Sequence, residues 1–476
     1  MTSEKLHDAL NLLPADLVAE TDALRNRPMR RKIPWKHLTA LAACFAVVLL
    51  TAGFFGISRS GGSKAASTEM APAEYETAAA AEERSDYGTG FQPGTIDLMT
   101  DVPEAAADVS GGANCDAEAT DFALGLLQNS MTEGENALVS PLSVLSALGM
   151  TANGANDQTL AQMESTLGMP ISDWNGWLSD YGNGRDDALK LANSIWFTND
   201  QRFTVNPAFL ETNAQYYQAG IYQTPFNRQT CDDINLWVRE NTDGMIPQIL
   251  DEIPEDAIMY LVNALAFEAE WNFPYQEYQV HSGTFTREDG TQREAEMMYS
   301  QENVYLEDEN ATGFMKYYQG AQYAFVALLP NEGVSVSDYV QSLTGSHLRD
   351  LLENKTYTEV NAALPKFETG YSVELSQPLQ AMGITDAFDP ARADFSNLGS
   401  FGGEPIYISR VLHKTFISVA EQGTRAGAAT VVEAAAGAAA PQEPKRVILD
   451  RPFVYMIVDC YQHFPIFIGT MMDTGA

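Results

Sequence analysis

The run Glu421-Gln-Gly-Thr-Arg-Ala-Gly-Ala-Ala-Thr430 continues through Val431-Val-Glu433, Ala434-Ala-Ala-Gly-Ala-Ala-Ala440 and Pro441-Gln-Glu-Pro444, and it separates strand-like runs at 412–419 and 453–461. A connection this long inside a compact domain is normally functional or disordered. A flexible linker and an alanine-rich surface helix are the plain readings, and neither accounts for the parity of the segment. At period 2, Thr424, Ala426, Ala428, Thr430, Val432, Ala434 and Ala436 share one face, and all are uncharged and small or β-branched. Arg425, Gly427, Val431 and Glu433 fall on the other face. Such a segment can lie as a strand with one face on a core and the other toward water.

Around this run the chain has the texture of a large domain from about residue 117 onward. Further strands are expected at 191–197, 258–267, 321–329 and 357–364, several of them apolar on both faces, as in a buried sheet. Helices are expected at 121–131 and 140–167, the second opening on Ser140-Pro141, an N-cap residue followed by proline at the first helical position. Strands and helices intersperse without steady alternation, so the class is α+β. About 360 residues without an internal linker imply one domain, residues 117–476, around an unusually big sheet.

Upstream the composition changes. Residues 38–57 carry no charge, long enough as a helix to cross a bilayer core, and Arg25, Arg27, Arg30, Arg31, Lys32 and Lys36 precede them. This pattern predicts a single-pass membrane anchor, with segment 1–37 cytoplasmic and the domain outside the cell. A cleaved signal peptide, or lipidation at Cys44, is the alternative. Residues 58–116 are acidic, alanine-rich and aperiodic, as expected of a disordered tether.

The search for chemistry is mostly empty. The chain has 64 acidic against 28 basic side chains and a formal charge of −36, which excludes a nucleic-acid partner. Four separated cysteines exclude a disulfide scaffold, and none of the six histidines stands at ligand spacing to another histidine or a cysteine, so no metal or other cofactor is expected. Nucleophile elbow, phosphate-binding loop and zinc-protease helix motifs are all missing, so no catalytic residues are assigned and an enzyme is not expected.

Seven blocks follow one another along the chain: Asn136-Ala-Leu-Val-Ser-Pro-Leu-Ser143, Ile234-Asn-Leu-Trp-Val238 with Thr242-Asp-Gly244, and Leu261-Val-Asn-Ala264 through Phe267 to Trp271. Leu364-Pro-Lys-Phe367, Ala393-Asp-Phe-Ser396, His413-Lys414 and Val447-Ile-Leu-Asp-Arg-Pro-Phe453 complete them. In these blocks and their order the chain resembles the serpins, from about residue 121 to 473. Two departures stand out: Asp157 where a glycine is usual, and Arg425 where the hinge normally has a glutamate.

The resemblance implies a large, mainly antiparallel central sheet, two smaller sheets, eight or nine helices and an exposed reactive loop. It also implies a monomeric suicide inhibitor of serine proteases, whose cleaved loop enters the large sheet as a new strand. The hinge would be Glu421, Gly423, Thr424, Ala426, Gly427, Ala428, Ala429 and Thr430. Trp271 and Glu421 match the point of loop entry. Ser140, Ser143, Asn263 and His413 match a polar cluster that controls sheet opening. Family spacing puts the bait bond at Gly437–Ala438, within a run from 435 to 440 that is all Ala or Gly, which suits an elastase-like protease with a small specificity pocket. Arg425 would face outward in the inserted strand. The alternative function is a non-inhibitory serpin, acting as a binding or sensor protein and serving proteases only as a substrate.

Overall fold

The segment Met259–Phe267 reads Met-Tyr-Leu-Val-Asn-Ala-Leu-Ala-Phe, and all nine residues are buried. A strand apolar on both faces must be covered on both. Met259, Leu261, Leu265 and Phe267 point into the main core, while Tyr260, Val262 and Ala264 point into a second cluster with Trp196, Trp237 and Ile246. The helix Arg228–Asn241 supplies Cys231, Ile234, Trp237 and Val238 to that second cluster. The helix Pro141–Ala152, buried along its whole length, contributes to the main core.

In the computed structural model, the described residues are 91, 94–103, 113–183, 188–217, 219–254, 257–424 and 443–475. The large sheet runs in the order Ile96–Asp97, Gly220–Thr224, Leu189–Thr198, Met259–Phe267, Arg410–Val419. Phe367–Glu374 pairs antiparallel with Arg410–Val419 along its outer edge. Met259–Phe267 and Arg410–Val419 pair in parallel, from Tyr260↔Arg410 to Ala266↔Phe416. A nine-stranded second sheet contains Phe453–Asp459 and Phe464–Met471, and a two-stranded third pairs Phe203–Val205 with Gly399–Phe401. Nine α-helices complete the α+β architecture among the described residues. The second sheet has one strand more than the eight-stranded first, so it is not smaller in strand number.

Local chemistry explains the departures from the sequence pattern. The helix expected at 140–167 is two helices, Pro141–Ala152 and Asp157–Leu167. The chain turns between them at Gly154, where a Cβ would lie 2.6 Å from the Leu398 Cβ, an approach only glycine permits. Asp157 has φ +42°, so the aspartate occupies the left-handed region that explains the family's usual glycine. Ser140 caps the first helix by accepting from the Ser143 amide at 3.3 Å.

Two expectations upstream of the domain change. Part of the 58–116 tether is folded, because Ile96 and Asp97 pair antiparallel with Gln223 and Tyr222 at the edge of the large sheet. Phe91 also packs edge-on against Trp196 and Tyr222, with ring centroids at 5.7 and 5.0 Å. The aromatic pocket on that sheet edge supplies the buried surface that the acidic, alanine-rich segment lacks by itself. The single-pass membrane localisation is corrected: among the described residues no helix is long and apolar enough to cross a membrane. The span expected at 38–57 lies outside the described residues.

Candidate functional site

Beyond the Ala266↔Phe416 pair, the two central strands of the large sheet no longer pair with each other. The gap between their continuations holds Gly423–Thr424, a two-residue strand antiparallel to both sides. Thr424 pairs with Val419 on one side and with Ala269 on the other, and Gly423 pairs with Glu270. Glycine is required at 423, since a Cβ there would fall 2.1 Å from the Ala269 carbonyl oxygen. Thr424 is fully buried, and its hydroxyl shares a 2.6 Å hydrogen bond with the Tyr318 phenol.

The turn leading into this short strand is held carbonyl by carbonyl. The Trp271 indole Nε1 donates to Ala420 O at 2.9 Å. The Tyr275 amide donates to Glu421 O and the Trp271 amide to Gln422 O, each at 2.8 Å. Trp271 stacks on Tyr318 with centroids 4.4 Å apart and planes 15° from parallel. Lys366 Nζ reaches Glu421 Oε1 at 3.0 Å. Burial by itself would raise the Glu421 carboxyl, but a backbone N–H and the Lys366 ammonium hold it below the usual carboxylate range.

Deeper in the sheet lies a polar row across three strands. Asn193, Asn263 and His413 stand opposite one another in register. The Ser140 amide donates to His413 Nε2 at 3.0 Å, so the ring proton sits on Nδ1, which donates to Asn263 Oδ1 at 2.8 Å. Ser143 Oγ donates to Asn193 Oδ1 at 3.2 Å. His413 is buried, and desolvation holds its pKa down to about 3, so the ring is neutral at ordinary pH. Asn263 Nδ2 is buried without a hydrogen-bond partner.

The structure thus brings Trp271, Glu421, Gly423 and Thr424 together at one end of the sheet, and Ser140, Ser143, Asn263 and His413 together within it. Ala426, Gly427, Ala428, Ala429, Thr430, Gly437 and Ala438 lie outside the described residues. Sequence reasoning missed Asn193 and Tyr318. Asn193 had a signal, an amide in the middle of the apolar run Leu-Ala-Asn-Ser-Ile-Trp. Tyr318 had none, because its role depends on which ring stacks beside it.

Ser140, Ser143 and His413 are shut off from solvent, and burial pushes the Cys115 and Cys460 thiols up to about 12, far from the reactive thiolate. Among the described residues no group of three or more His, Cys, Asp or Glu could hold a metal ion. Thr424, in the gap of the large sheet, is the last described residue before 425–442, and the described chain resumes just before Lys445–Ile448, a strand of the second sheet.

Comparison with known proteins agrees with this architecture. Residues 117–474 match the family Serpin (serine protease inhibitor). The chain is 31% identical over 341 residues to the leukocyte elastase inhibitor of Bos taurus, covering 68% of this chain and 89% of that one. Among solved structures, the thermophilic serpin tengpin in its native state is similar at 43% identity and a TM-score of 0.75, covering 80% of this chain and 100% of that one. The same protein in its latent state gives 41% identity and a TM-score of 0.68, covering 78% of this chain and 100% of that one.

Proposed function

Since the chain belongs to the serpin family of serine protease inhibitors, we propose that it traps its target protease as a suicide substrate, one inhibitor consumed per protease, and does not act as an enzyme. The protease serine attacks the carbonyl of Gly437. An ester bond forms to Gly437, the peptide bond to Ala438 breaks, and the serine proton passes through the protease histidine to the departing Ala438 amine. Water would complete an ordinary hydrolysis. Here the freed strand enters the large sheet and carries the acylated protease away before water reaches the ester.

The observation that carries this reading is Gly423–Thr424, already seated as a strand between Val419 and Ala269. Adding a strand at this point gives successive new residues ladder hydrogen bonds to the two neighbouring strands in alternation, a strong local drive toward insertion. Continuing the same register seats Ala426 and Ala428 on the core face beside Ile417 and Thr415. Thr430 then arrives between His413 and Asn263, replacing their hydrogen bond and offering the orphaned Asn263 Nδ2 a partner. In that register Arg425 comes opposite Ser418, whose hydroxyl donates to Glu368 at 2.8 Å, and opposite Glu268 on the other side. Two carboxylates therefore receive the outward-facing Arg425, a setting in which the family's usual glutamate would be repelled.

The specificity is elastase-like. All residues from 435 to 440 are Ala or Gly, side chains that a shallow pocket accepts and that offer no charge to a trypsin-like one. Likeness to a leukocyte elastase inhibitor supports the same class. The test is incubation of the chain with a pancreatic or neutrophil elastase, followed by a denaturing gel and mass measurement. An adduct stable to detergent, with a released peptide beginning between 436 and 440, is expected, and the cleaved inhibitor should melt well above the intact one. Cleavage without an adduct would leave the chain a non-inhibitory substrate and end the proposal.

A further inference from the structure

Lys316 is the one buried Lys or Arg among the described residues, at 3% exposure. It is the penultimate residue of the strand Ala311–Tyr317, two positions before the Tyr318 that stacks on Trp271. Its Nζ donates to Glu302 Oε1 at 2.8 Å and to the Phe273 carbonyl at 3.1 Å. The same ammonium lies 4.3 Å from the Tyr275 ring centroid and 5.5 Å from that of Trp271. Glu302 is held in turn by Ser300 Oγ at 2.7 Å.

Every contact of this cation apart from Glu302 is therefore to the short segment 271–275. That segment is the one whose Trp271 and Tyr275 groups hold the carbonyls of Ala420, Glu421 and Gln422. A buried ion pair seldom adds net stability over an apolar side chain of similar size, because desolvation offsets its attraction. What a cation fixed between a carboxylate, a carbonyl and two ring faces supplies is geometry.

We propose that Lys316 is a positioning residue for loop insertion: it fixes the 271–275 segment as a rigid socket that holds Ala420, Glu421 and Gln422, so that the loop entering behind Thr424 starts from a hinge root already fixed in register. This rests on the inhibitory reading above. Insertion competes with hydrolysis of the acyl-enzyme, so a looser socket diverts inhibitor to the cleaved, released product without changing the first encounter with protease.

The experiment compares the full chain with its Lys316→Met, Lys316→Arg and Glu302→Gln variants. For Lys316→Met the expected result is a wild-type rate of initial acylation, a melting midpoint as high as wild type or higher, and about five-fold more inhibitor consumed per protease trapped. Lys316→Arg keeps the cation and recovers most of the loss, which a merely structural role would not produce. Should Lys316→Met fail to fold, Glu302→Gln carries the same expectation, since the ammonium loses its anchor. An unchanged stoichiometry in a folded variant overturns the proposal, as does a loss that Lys316→Arg does not recover. If the wild-type chain is cleaved without any adduct, the inhibitory reading fails by itself. The socket is then read from annealing of a synthetic peptide of sequence 424–436 into the sheet, slower in Lys316→Met if the proposal holds and unchanged if it does not.

Discussion

His413 and Asn263 are joined side chain to side chain, Nδ1 to Oδ1 at 2.8 Å, across the two parallel strands that the proposed insertion would separate. The ring is neutral because burial opposes its charged form, holding its pKa down to about 3 against the ordinary value near 6.5. Between those values the unfolded chain binds a proton that the folded chain does not. The stabilisation is therefore complete above pH 6.5 and is lost as pH falls toward 3, at about 1.4 kcal/mol per pH unit.

Urea unfolding should consequently show wild type losing about 2 kcal/mol more than a His413→Asn variant between pH 7 and pH 5. Carboxylates titrate alike in both proteins, so the difference isolates this one ring. Parallel pH profiles for the two would show that His413 is not held neutral.

Trp271→Phe keeps an aromatic ring against Tyr318 and removes the indole donor to Ala420 O. Loss of one such hydrogen bond is worth about 1 kcal/mol, or roughly five-fold in a rate competition. Titration of elastase with this variant should need about five-fold more inhibitor for full trapping. A wild-type titration would mean that the indole N–H does not guide the loop.

Arg425→Glu installs the family's usual residue at the hinge and should make this chain a poorer inhibitor. Like charges placed opposite one another across strands cost up to about 1 kcal/mol, so two- to five-fold more cleaved product is expected. Pairing the change with Glu268→Arg should restore trapping, and roughly 0.5 M salt should shrink the effect. If Arg425→Glu traps protease as well as wild type, the register that puts Arg425 beside Glu268 is wrong.

Gly423→Val places a side chain where even a Cβ would lie 2.1 Å from Ala269 O. The short strand must leave the gap, and the Trp271 amide then loses its Gln422 acceptor. Hydrogen exchange at that amide should speed up about ten-fold or more. Unchanged protection would place the hinge outside the sheet in solution.

The family signature and the α+β class were legible in the chain because they depend on local pattern. Buried strands such as Met259–Phe267 are apolar throughout, and Ser140-Pro141 starts a helix wherever it falls. The helix break at 153–156 was not legible, because Gly154 is needed only where Leu398 approaches it from the other end of the chain. Strand Gln292–Glu307 was likewise missed, since its burial alternates with its changing neighbours and no single period runs through it.

Within the site, sequence by itself determined the small, uncharged parity of the loop, because the order of residues along the chain carries it, and it offered Ser140, Ser143, Asn263 and His413 only through the resemblance of their motifs to the serpins. Only the tertiary structure decided that the hinge already occupies the gap, that Asn193 joins the polar row, and that Lys316 stands behind the entry segment. Each of these is a meeting of residues tens to more than a hundred positions apart. A buried cation or amide takes its meaning from the partners that replace water around it, and those partners exist only once the sheet has formed.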